Sequence, residues 1–175
     1  MLISTSLLTG VLALAVWTDL KSRRIPNALV AMGLCLALAS VSMGWGSVSL
    51  SQCLLGALTG LVLFLPLYLF GAVGAGDAKL MAAVGAFVGP YAVLWAAVYT
   101  ALFGGVMSIV TLMAMGVLRE SAQHLWVYLR ALAVRFAGVG APTPSYLPTS
   151  NARMPYALAI GAGTLGWFQL GPLLG

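Results

Sequence analysis

Apolar positions in this chain come in long unbroken runs rather than in the alternating or three-and-four spacing of a water-soluble fold. The first extends from Leu2 to Thr18, the second from Ala28 to Met43 and the third from Ser49 to Gly71. Another covers Tyr91 to Val117, and a last one Pro155 to Leu174. Each approaches the ~20 residues that carry a helix across a ~30 Å hydrocarbon core. Between Lys79 and Gly89 lies a shorter run of 11 residues, about 16 Å of helix at 1.5 Å per residue. The alternating ten-residue segments of a membrane barrel are absent. The pattern predicts an all-α, polytopic membrane protein, a single domain over residues 1–175.

Two arrangements compete for residues 80–117: one very long helix, giving five spans, or a break at Gly89-Pro90, giving six. The charges favour six. Asp19, Lys21, Arg23 and Arg24 fall in one loop, Asp77 and Lys79 in the next but one, and Arg119, Glu120, Arg130, Arg135 and Arg153 in the next but one again. All then lie on one side, which the positive-inside rule makes cytoplasmic. Five spans would scatter the same charges with no bias. The expectation is a six-transmembrane-helix bundle with both termini on the extracytoplasmic side. The short fourth span must borrow residues ahead of Lys79, which draws "GAGD" toward the membrane.

Residues 119–153 divide in two. Leu118, Ala122, Leu125, Leu129, Leu132 and Phe136 recur at helical spacing, with Arg119, Gln123 and Arg130 off the stripe, predicting an amphipathic helix on the inner leaflet. "GVGAPTPSYLPTSNARMP" follows and reads as a surface loop.

Composition strengthens this picture. Apolar residues make up 62% of the chain and charged residues 6%, and the mean hydropathy is +1.06. No soluble fold hides that much apolar surface behind so few charges. The net charge of +5, spread over loops, points to anionic membrane lipid and topology rather than nucleic acid. The N-terminus lacks a basic leader and is expected to be a first spanning helix rather than a cleaved signal. Cys35 and Cys53 lie in apolar runs and form no C-x-x-C pair, so they read as buried thiols. His124 has no neighbouring ligands, and no metal site is expected.

Only three acidic residues occur in the chain. Asp19 ends the first predicted span and Asp77 opens the fourth, on the same side of the membrane. Ionisable groups at membrane depth are rare and usually functional. Two carboxyls close together in a poorly solvated site share one proton, the arrangement of aspartic proteases. One member can take a proton from water while the other donates to the peptide carbonyl. Gly74 and Gly76 would let the backbone adopt unusual conformations and approach a ligand closely. Lys79 could reach lipid head groups or favour an ionised carboxylate. The bland alternatives are an interfacial aspartate at a span end, a lysine anchor, and a helix start at Pro26.

"DLKSRRIPN", Asp19 to Asn27, and "GAGDAKL", Gly74 to Leu80, resemble the two signature motifs of type IV prepilin peptidases. "MPYALAIGAG", Met154 to Gly163, resembles the start of that family's last span. The resemblance implies an aspartic endopeptidase that removes the basic leader from prepilins or pseudopilins at the cytoplasmic face of the inner membrane. It implies Asp19 and Asp77 as the catalytic pair, Gly74, Gly76 and Lys79 as part of the second motif, and Ile25, Pro26 and Asn27 as the end of the first. With no N-terminal cytoplasmic region bearing C-x-x-C pairs, the chain is similar to the short, peptidase-only form of Flp (Tad) pilus systems. No cofactor is implied. A small proton-coupled transporter and a non-catalytic pilus-assembly subunit are the alternatives; the oligomeric state is left open.

Overall fold

The structure is a computed structural model that describes residues 2–46, 48–69, 71, 73–114, 116, 123, 126–127, 130 and 156–171. The described residues form five helices, with no strand among them: α1 (Leu2–Ser22), α2 (Asn27–Ser42), α3 (Leu50–Leu69), α4 (Ala75–Ala114) and α5 (Tyr156–Leu170). Three of the helices, taken over Ile3–Ser22, Leu50–Leu69 and Ala75–Ala114, are long and apolar enough to cross a membrane. The chain divides into two compact units, residues 1–105 with 154–175, and residues 106–153.

Local chemistry explains the helix ends of the first unit. α1 stops where Arg23 takes a left-handed conformation, φ 51°, and donates its N–H to the Asp19 carbonyl at 2.7 Å. That is the single-bond closure of an αL cap, in a position glycine usually fills. α2 starts after Pro26, whose extended backbone (φ −63°, ψ 136°) makes it the cap rather than a residue of the first turn. α3 opens on a capping box. The Ser49 N–H donates to Gln52 Oε1 at 3.0 Å, and the Gln52 N–H donates back to Ser49 Oγ at 3.3 Å.

The expected break falls inside α4. Gly89 has φ 85° and ψ 173°, a region open essentially to glycine alone, and Pro90 behind it has no N–H to continue the ladder. The first arm, residues 75–88, is the buried centre of the unit: Leu80, Met81, Ala83 and Val84 are fully enclosed. Most of its sides are covered by the rest of the unit.

Without a hydrophobic force between helices in lipid, close approach depends on small residues. A side chain added at Gly56 of α3 would collide with the Gly85 carbonyl of α4, and one at Gly85 with the Gly56 carbonyl. Gly60, one turn on, sits against the Met81 carbonyl, and Gly33 of α2 faces Val11 and Ala83. Beyond the break, Gly163 of α5 lies against Thr100 of α4. α1 packs on α2 and α5, and α2 on α3. Cys53 is buried in this packing, but Cys35 is exposed. The expectation of two buried thiols fails for Cys35 because the packed face of α2 is Val30, Gly33, Ala37 and Ser40.

Gly89→Ala should lower stability by about 1–3 kcal/mol, the scale of a non-glycine residue held in that region. Its methyl would also press on Val48 Cγ1 at 3.3 Å. Thermal unfolding of the purified protein in detergent measures the loss.

In the second unit α4 ends at Ala114, followed by Gly116 at φ 69°. Gln123, Trp126, Val127 and Arg130 are helical and exposed, and the Arg130 guanidinium lies 4.9 Å from the centre of the Trp126 ring, a cation–π contact. The remainder of the predicted amphipathic helix and its loop, with His124 and Glu120, lies outside the described residues.

Candidate active site

Asp77 is the third residue of α4, where sequence and helix chemistry suit each other. Gly74 is the cap: its carbonyl accepts the N–H of Ala78 at 3.3 Å. The Asp77 carboxyl turns back and accepts the Gly74 N–H on Oδ2 at 2.9 Å. An acid at this position answers one of the unpartnered N–H groups at a helix start and meets the positive end of the helix dipole.

Asp19 solves the same problem for a different helix. It lies on the last turn of α1, and its Oδ2 accepts the backbone N–H of Ala157 at 3.1 Å across 138 positions of sequence. Ala157 is the second residue of α5. Each carboxyl thus caps a helix start with one oxygen, and neither makes a second hydrogen bond among the described residues.

Both side chains are buried, Asp19 at 6% and Asp77 at 8% exposure, and they are close enough for their charges to interact. Tyr156 also lies within electrostatic range of Asp77. Its ring meets Phe64 edge-on, with centroids 6.5 Å apart.

The two sequence motifs meet at this end of the unit. Ile25 covers Gly76, where an added Cβ would stand 3.0 Å from the Ile25 Cβ. The Lys79 ammonium donates to Asn27 Oδ1 at 2.9 Å, so in this structure lysine ties the motifs together. Pro26, between Ile25 and Asn27 in the first motif, is the exposed cap of α2.

Gly74 and Gly76 do not take the left-handed backbone the expectation allowed for: the glycine with positive φ in this stretch is Gly71 at 73°. Both sit in tight space: a Cβ at Gly74 would stand 3.1 Å from Asp77 Oδ2, and one at Gly76 would push on Ile25. The Ala157 amide was missed altogether. A backbone donor leaves no trace in residue identity, and only the quoted start of the last span pointed to this region.

Long apolar helices around a buried pair of acids define a membrane protein that holds ionisable groups inside its own packing. The model of the type IV leader peptidase family matches residues 6–109, more than half of the chain, and the chain belongs to that family. It is a peptidase, and its family implies prepilin-type substrates. No curated protein and no solved structure matches the chain.

Proposed function

We propose that the protein is an aspartic endopeptidase of the inner membrane that cleaves the basic leader from prepilins or pseudopilins at the cytoplasmic face. The observation that carries this reading is the convergence of Asp19 and Asp77: both are buried, each accepts a helix-start N–H on one oxygen and makes no second hydrogen bond among the described residues, and the charge of Asp19 reaches Asp77. One carboxylate takes a proton from water, and the resulting hydroxide adds to the scissile carbonyl. The other, protonated, donates to the carbonyl oxygen as the tetrahedral centre forms. Collapse of that centre breaks the C–N bond, and the leaving amine takes up a proton. Burial strengthens each of these charge interactions.

Six spans, with both termini extracytoplasmic, suit this chemistry. α4 has 40 residues, about 60 Å of helix, twice the ~30 Å core. Two crossings hinged at Gly89 account for that length. Asp19 and Asp77 then open on the side that carries the basic residues, where a leader would arrive. The anionic inner leaflet is the natural partner of exposed Lys21, Arg23 and Arg24.

Purified protein in lipid vesicles should release the leader from a pilin precursor, and Asp19→Asn should abolish release without altering the melting temperature by more than a few degrees. Retained cleavage would reject the dyad. A transporter would instead show proton flux, and an assembly subunit would support pilus formation without either acid.

A further inference from the structure

We infer that the first turn of α5 is a third component of this site, in which the backbone N–H of Ala157 is the positioning group that holds Asp19 in its working orientation. The inference rests on the dyad reading above and extends it to a segment outside the matched residues 6–109.

Asp19 sits on the last turn of α1, immediately before the αL cap at Arg23. On its own helix the neighbouring hydroxyls of Thr18 and Ser22 donate to backbone carbonyls rather than to the carboxyl. Among the described residues its one hydrogen bond comes from Ala157. That donor is one of the N–H groups a helix start cannot satisfy internally, and both partners are buried. A buried charge-assisted bond of this kind is directional and among the stronger ones available.

The donor is itself closely packed. Ala157 is fully enclosed. The preceding residue, Tyr156, braces the turn against Phe64, and its hydroxyl fills the space beside Gly104, 2.9 Å from where a Cβ would stand. A reactive group held by a braced partner keeps the tolerances that catalysis demands. The bond fixes one oxygen of Asp19, Oδ2, on the protein and with it the plane of the carboxyl.

Replacing Ala157 by proline deletes the N–H at a first-turn position where proline's ring is tolerated. For the purified enzyme acting on a pilin precursor, kcat should fall about 10- to 100-fold, the effect of losing one hydrogen bond to a charged group, while KM stays unchanged. Ala157→Gly keeps the N–H and should retain most of the wild-type kcat. A merely structural role would move stability and KM along with kcat, and would not distinguish glycine from proline in this way. Wild-type kcat in Ala157→Pro overturns the inference.

If that variant does not fold, hydrogen exchange at the Ala157 amide decides. It should quicken at least about tenfold in Asp19→Ala as its acceptor disappears, and unchanged exchange overturns the inference. Cleavage that survives in Asp19→Asn sinks the dyad itself. Cleavage lost in Asp19→Asn but intact in Ala157→Pro sinks the positioning role alone.

Discussion

Asp77→Asn is expected to lower kcat for leader cleavage by about three orders of magnitude, within the range that a positioned acid or base supplies, while leaving the protein folded. The reason for expecting both together is the double use of this side chain. Its Oδ2 accepts the Gly74 N–H at 2.9 Å and so closes the start of α4. Asparagine presents a carbonyl oxygen of the same shape at the same place, so it can keep the bond to the Gly74 N–H and loses only the carboxylate's attraction to the helix dipole, well under the cost of unfolding. The cap survives, and what disappears is the capacity to gain and lose a proton. Asp77→Ala should differ, since it removes cap and carboxyl together. It should add about 1 kcal/mol of instability to the same loss of activity. Cleavage assays paired with thermal unfolding of the three proteins separate the two functions of the residue. Asp77→Asn retaining a tenth or more of the activity would mean that the carboxyl is a cap and nothing else.

The largest expected effect on stability lies at the crossing of α3 and α4. Gly85→Ala should destabilise the protein by about 3 kcal/mol or more, the upper end of what overpacking a core produces. The added methyl would meet the carbonyl oxygen of Gly56, an atom of backbone with no rotamer by which to retreat. Either the two helices move apart, opening the contacts around Met81 and Val84, or the variant fails to accumulate. Gly10→Ala in α1 is the matched control, because a Cβ there meets nothing within 4 Å. Exchanging glycine for alanine in a helix interior is favourable by about 1 kcal/mol when space allows. Opposite shifts in melting temperature for these two glycines are the expected result, and equal shifts would show that the crossing is looser than the structure has it.

How much of this was visible beforehand depended on whether side chains or backbone carried the information. The apolar runs marked α1, α2, α3 and α5 to within about four residues, because helix length and hydropathy are both set by residue type, while α4 takes in both the short run and the one after it as a single kinked helix. The break at Gly89 was legible because glycine followed by proline is a backbone signal written in residue identity. Asp19 and Asp77 stood out because a charge in an apolar chain needs a reason. Three features stayed hidden. The glycines of "GAGD" suggested unusual torsions, but the structure uses them as empty space beside Asp77 and Ile25. Cys35 and Cys53 looked equivalent, and only the packed face of each helix separates them. The Ala157 donor is main chain and could have been any residue.

That last bond also says something about the order of manufacture. Asp19 and Asp77 leave the ribosome well before Ala157, which lies 138 positions beyond the acid it restrains. A nascent chain therefore carries both acids through much of its synthesis without the amide that orients one of them. On the proposed mechanism, competence arrives only with α5, so a chain not yet extended that far has its reagents in hand but no means of aiming them at its neighbours.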